Sequence, residues 1–273
     1  MGMKNIKNKG LILIRILLIG IFIYCALMAF SWYFNGRGIR LEKVRIEKLI
    51  DVREIQDDEN TVLVGEKSTA DSLYWKYVKL PLIDVDFKYL LEVNPDTVGY
   101  INVIGTNINY PFVQALDNNF YLTHSFEKKK NKAGWIFADY RNSMTDLNKN
   151  TVLYGHARLD GVLFGTLRNT LKWNWLEKSD NHIIRLSTPR ENTMWQIFAV
   201  YKHPSESYYI QTSFSSDSDY ELWLKEMKSR SLYDFKTTVE QADKVLTLST
   251  CYDSLGNRIV LHAKLIKMKT KIN

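Results

Sequence analysis

Nineteen consecutive uncharged residues, Ile16 to Phe34, constrain this chain more than any other feature. At 1.5 Å per residue, a helix of that length crosses a hydrocarbon core of about 30 Å. The apolar run extends upstream through Leu11 to Ile14, and Arg15 is placed to snorkel toward the near interface. Lys4, Lys7 and Lys9 precede it and predict a cytoplasmic N-terminus, while Trp32 and Tyr33 fall where an aromatic belt is expected. A cleaved signal peptide would end its shorter apolar region in small residues, whereas this run ends in Ser-Trp-Tyr-Phe. The expectation is an uncleaved single-pass anchor in the cell membrane. Residues 1–10 form a cytoplasmic tail, 11–34 the span, 35–70 a juxtamembrane stalk or helix, and 71–273 an extracellular domain.

The net charge of +7 could suggest a nucleic-acid partner, but its location argues otherwise. Residues 1–48 hold nine of the 37 basic residues and two of the 30 acidic ones, which leaves 28 of each beyond. A formally neutral domain has no electrostatic footprint for a phosphate backbone, so no nucleic acid is expected. The two cysteines, Cys25 in the apolar run and Cys251 near the C-terminus, are too differently placed to pair. No metal-ligand cluster or phosphate loop is visible, and no cofactor is called for.

The charged segment from Gly36 to Asn60 carries a mild apolar stripe, and a second helical stretch is expected from Ser72 to Leu91, broken near Pro81. Beyond the Asn94-Pro95-Asp96-Thr97 turn the pattern becomes β-rich. Eight short strands are expected: Val98–Ile104, Ile108–Val113, Trp135–Ala138, Thr151–Tyr154, His182–Ser187, Met194–Tyr201, Lys244–Thr250 and Arg258–Ile266. Such a series suggests a closed barrel or a sandwich. Two helices interrupt it. One is expected from Val162 to about Glu177. The other follows a capping box at Ser218 and Glu221 and places Tyr220, Trp223, Leu224 and Met227 on one face.

Cys251 follows an apolar strand pattern and precedes a turn-rich loop, so it sits at a strand end where a substrate can reach its thiolate. A lone thiol is often only a small buried side chain, and its neighbours must decide. Of the five histidines, His156 lies in Leu-Tyr-Gly-His-Ala-Arg, just past a strand at the sheet edge. His262 lies inside the last strand, packed or at the surface; His124, His182 and His203 read as surface residues. Arg258 begins the strand after the Cys251 loop, and its permanent charge suits a developing oxyanion. Asp253 could orient a histidine ring or bond the loop backbone. Together with Ser249 it is an auxiliary candidate.

These segments resemble sortases. Thr247 to Cys251 followed by Arg258 is similar to the family's active-site signature. Tyr154 to Gly165 resembles the histidine segment of class B members, as do Asn94 to Ile101, Tyr110 to Asn118 and Trp135 to Asn142 in theirs. The resemblance implies a mainly β fold: a closed eight-stranded barrel with N-terminal helices and a helix-bearing insertion before the Cys strand. It implies a cysteine transpeptidase in which Cys251, His156 and Arg258 are catalytic and Asp253 matches a frequent acid. Secreted proteins carrying a sorting signal, of Asn-Pro-x-Thr-Asn or Pro-Pro-x-Thr-Gly type in relatives, would be joined to a peptidoglycan amine. Ala157 and Arg158 depart from the family's usual Asn and apolar residue, which would alter the cleft rim. Papain-type peptidases place Cys before His in the chain, the reverse of the order here. A tethered binding domain would leave Cys251, His156 and Arg258 without a reason.

Overall fold

The computed structural model describes residues 2–65, 72–251 and 256–271, without the side chains of residues 2–9, Ser72 and Cys251. Helix α1 runs unbroken from Gly2 to Leu49 and is followed by strands β1 (Val52–Ile55) and β2 (Thr61–Leu63). Helix α2 (Ser72–Tyr77), β3 (Leu82–Val85) and helix α3 (Lys88–Val93) come next. The stretch expected as one helix interrupted at Pro81 therefore contains a strand. Leu82 to Val85 is too short to show a period, and its register comes from β1, thirty residues away in the chain.

The eight expected runs each form a strand. They are β4 (Thr97–Val103), β5 (Asn109–Val113), β6 (Phe137–Ala138), β7 (Asn150–His156), β8 (Ile183–Ser187), β9 (Glu191–Pro204), β10 (Val245–Cys251) and β11 (Asn257–Thr270). They hydrogen-bond in the order β10-β7-β6-β5-β4-β8-β9-β11, and β11 pairs back onto β10, closing a barrel of eight strands. Closure removes the open edges that a sheet of this size would otherwise expose. β2 extends the far end of β11, and β1 and β3 form a separate ribbon.

Strand alternation sorts the side chains. On β10, Leu246 and Leu248 enter the main core, while Val245 packs in a second cluster with Tyr220 and Trp223. On β11, Ile259, Leu261 and Ala263 point inward and Val260 joins that second cluster. The cluster's lid is α5 (Asp217–Ser229), whose expected stripe of Tyr220, Trp223, Leu224 and Met227 is buried. The cap, however, is Ser216, whose side chain accepts from the Asp219 backbone N–H at 3.1 Å, two residues before the expected box. Asp217 and Asp219 in the first turn favour this start through the helix dipole.

The helix expected over Val162–Glu177 is a 3-10 helix, Phe164–Leu171, followed by the short α4, Trp173–Leu176. Local bonds compete with α-helical ones here: Arg168 Nε donates to the Gly165 carbonyl at 2.7 Å, and Thr170 Oγ1 to the Leu167 carbonyl at 2.7 Å.

The segment expected as a stalk lies against the barrel. Ile39 and Ile46, one face of α1, are buried in the main core. The Arg158 guanidinium sits 4.6 Å from the centre of the Trp32 ring and donates to the Trp32 carbonyl at 2.8 Å. Arg158 thus holds α1 and does not line the cleft, which corrects the expectation for the rim.

Candidate active site

Three neighbouring strands build the site. β10 runs parallel to β7 and antiparallel to β11. The register sets Cys251 opposite His156 on one side and opposite Arg258 on the other, so the three form one row at the end of the sheet. Residues paired across neighbouring strands share a face at Cα separations of about 5 Å. His156 is the last residue of β7 rather than a loop residue beyond it. Its row reaches Cys251 although the two are far apart in the chain, because β7 and β10 are parallel and joined by a long crossover. Asp253 lies outside the described residues.

His156 is half-buried, and its Nε2 donates to the Leu122 carbonyl at 3.0 Å. That bond holds the ring in place through Nε2. Arg258, also half-buried, faces a groove of about 240 Å³. Asn118, Leu122, Tyr154, Tyr209, Ile210 and Ser249 line it together with His156 and Arg258. Ser249 is buried, and its hydroxyl lies 3.0 Å from that of Tyr209. It therefore anchors Tyr209, which also lines the groove.

A carboxylate absent from the sequence expectations organises this groove. Asp139 is buried and receives Arg141 through Nε at 2.9 Å and Nη2 at 2.7 Å, Tyr154 Oη at 2.8 Å and Asn118 Nδ2 at 3.0 Å. Arg141 Nη2 also donates to the Ile210 carbonyl at 3.0 Å. Asp139 and its partner Arg141 thus tie together Asn118, Tyr154 and Ile210, three residues that line the groove. Burial pushes the Asp139 carboxyl up, but Arg141 and the other donors outweigh it and hold it below the usual carboxylate range. The motif Phe-Ala-Asp-Tyr-Arg-Asn was visible in sequence, yet nothing local shows that Asp139 would meet Asn118 and Tyr154. Tyr209 and Ile210 carry no pattern at all.

None of the other four histidines lines the groove. His262 is buried between Tyr201 Oη and Thr247 Oγ1, each at 2.8 Å, and burial pushes its pKa down to about 3. It stays neutral at working pH. His182, expected at the surface, is buried with Nε2 donating to the Leu176 carbonyl at 2.8 Å. His124 stacks on Phe120 with 4.1 Å between ring centres, and His203 lies opposite Arg258 on β9.

Comparison with known proteins agrees with this geometry. The family model described as Sortase domain matches residues 101–266. Sortase B of Staphylococcus aureus is 38% identical over 185 residues, covering 67% of this chain and 75% of that protein. The crystal structure of sortase B from Bacillus anthracis in complex with AAEK1 aligns with a TM-score of 0.70 at 32% identity, covering 86% of this chain and 99% of the other. The Staphylococcus aureus sortase B–substrate complex aligns at 0.62 and 38% identity, over 66% of this chain and 84% of that one.

Proposed function

The chain belongs to the sortase family, class B, a cysteine transpeptidase that anchors proteins to the cell wall, and on that premise we propose that Cys251 is its nucleophile, His156 its proton donor and Arg258 its oxyanion stabiliser. The observation that carries this assignment is the row in which His156 and Arg258 flank Cys251 across three strands.

The Cys251 thiolate attacks the carbonyl of a Thr in the sorting signal lying in the groove. The C–S bond forms as the carbonyl π electrons move onto oxygen, where the Arg258 fork donates to the oxyanion. His156 gives its proton to the departing amine as the C–N bond breaks, leaving a thioacyl enzyme. An amine of the cell-wall peptide then attacks the thioester carbonyl, the proton it loses returns to His156, and the C–S bond breaks with its electron pair left on sulfur, so the Cys251 thiolate is regenerated and the amide product released. The groove, about 240 Å³ and walled by Leu122, Tyr209 and Ile210, suits a short extended peptide. The apolar half of α1 spans the membrane with its N-terminus inside and the barrel outside, as Lys4, Lys7 and Lys9 imply. Residues 1–10 are then the tail, 11–34 the span and 35–70 the juxtamembrane segment leading into the catalytic domain at 71–273.

The test is Cys251→Ala in the full chain, assayed with a library of quenched sorting peptides. Cleavage should vanish while circular dichroism keeps the wild-type spectrum. Cleavage above trace level in the alanine variant would rule out the assignment.

A further inference from the structure

We infer that the catalytic end of the barrel rests on the outer face of the membrane, with the loop from Ala157 to Gly161 at headgroup depth and Leu159 in the interface. The inference rests on the reading above that α1 spans the bilayer.

The depth scale is α1 itself. Its uncharged run from Ile16 to Phe34 fills a hydrocarbon core of about 30 Å. Trp32, Tyr33 and Phe34, all exposed, then mark the outer boundary. The helix does not break there but continues to Leu49, so whatever its next turns touch has a defined height.

Those contacts rise in order. Arg158 binds Trp32, and Asp160 pairs with Arg158 at 2.9 Å and with Arg40 at 3.3 Å. Gly36 lets the loop approach this closely, because a Cβ there would overlap the Asp160 carboxylate. The backbone N–H of Lys132 donates to Asn35 at 3.1 Å, Lys43 Nζ to the Asn107 carbonyl at 3.3 Å, and the Asp86 N–H to the Asp51 carbonyl at 3.2 Å. From Trp32 to Leu49, where α1 ends, the helical rise is about 26 Å. Of the barrel segments that touch α1 in this series, the loop following His156 meets it lowest, at Trp32.

Helix α5 covers the opposite end of these strands. Tyr220 Oη, on α5, bonds the carbonyls of Lys149 and Asp243, next to the starts of β7 and β10. The seven residues of β7 carry the chain about 20 Å along the strand from there to the row of His156, Cys251 and Arg258.

The chemistry of the low surface fits lipid. Leu159 is 80% exposed beside the Trp32 level, and Arg37, Lys130 and Lys132 are exposed around it. Cations at that height attract anionic headgroups, and an apolar tip gains by entering the interface. A lone exposed leucine would mean little; its height on α1 gives it a partner. The groove mouth then opens at the bilayer surface, within reach of a substrate held there.

The experiment uses the full chain in Cys25→Ser, Cys251→Ser background, with one cysteine introduced as Leu159→Cys or Leu222→Cys and labelled with an environment-sensitive fluorophore. Leu222 lies on α5 and is 62% exposed, so both sites are outside the core. The protein is reconstituted in phosphatidylcholine–phosphatidylglycerol vesicles with a nitroxide lipid labelled near the headgroup. The 159 probe should be quenched at least about twofold more than the 222 probe. Equal quenching, in protein that stays with the vesicles through an alkaline carbonate wash, would overturn the inference alone. Protein lost in that wash would overturn the spanning reading, and the inference with it.

Discussion

The strands β7, β10 and β11 carry two polar clusters, and the two behave oppositely. At the strand ends, His156 and Arg258 flank Cys251 beside an open groove. One helical-turn's worth of sequence earlier on β10, Thr247 bonds His262 at 2.8 Å and Asn150 at 2.6 Å in a closed, buried stack. Both clusters contain a histidine with a hydrogen-bonded ring. In the buried stack both ring nitrogens are occupied, and burial keeps His262 neutral down to about pH 3. At the strand ends the ring has one nitrogen held by the Leu122 carbonyl. Proton transfer needs a nitrogen that can change partner, so saturation and burial suit the buried stack to architecture, whereas openness suits the strand-end cluster to the chemistry proposed for it.

The contrast breaks most directly at the two histidines. His156→Ala should cut turnover by roughly 10²–10⁴-fold and change the shape of the turnover–pH profile, the signature of a lost acid–base group. If rate and profile both survive, the open cluster is not the proton-transfer site. Arg258→Lys keeps the charge but not the planar fork, and should cost about 10²–10³-fold in turnover with the pH shape retained. Near-wild-type turnover would reduce Arg258 to a source of general positive charge.

Asp139 sharpens the comparison because it is buried yet serves the open site. Asp139→Asn should destabilise by about 2 kcal/mol by losing charge-assisted bonds to Arg141, and should raise KM more than it lowers kcat as Tyr154 and Asn118 loosen. Its carboxyl is held below the ordinary value, so its stabilisation is full above the unfolded value near 3.9 and fades as pH falls through the lower folded value. The Asn variant should therefore lose less stability than wild type on acidification below about pH 4, read by thermal melts. An unchanged acid limb would show that the carboxylate is not charge-coupled to Arg141.

His262→Gln should have the smallest effect, about 1 kcal/mol at neutral pH, with turnover preserved. The unfolded chain takes up this proton near pH 6.5 and the folded protein only near pH 3. Wild-type stability thus falls as pH drops through that window, by at most about 1.4 kcal/mol per pH unit, and the Gln variant should lack that slope. A loss of turnover in the folded variant would break the division between the clusters.

The eight expected runs were legible as short segments rich in β-branched and aromatic residues, and on the longer ones side chains alternate, as Leu246 and Leu248 do against Val245 on β10. Ribbon strands β1 and β3 were not, since four residues carry no period and take their register from each other. The hairpin of β10 and β11 joined Cys251 to Arg258 within a few residues of sequence, so that half of the row followed from local pattern. The other half depends on a parallel pairing across a crossover, which leaves no local trace.

Read by itself, the sequence determined the uncharged run and the barrel strands and singled out Cys251, His156 and Arg258 as candidates, because periodicity, uncharged length and short motifs act over a few neighbouring residues. Tertiary structure alone decided that His262 is sealed while His156 is open, that Asp139 braces the groove, and that Arg158 grips α1 at Trp32 instead of lining the cleft. Each of these depends on which distant groups surround a side chain, and burial and hydrogen-bond saturation are properties of that surrounding.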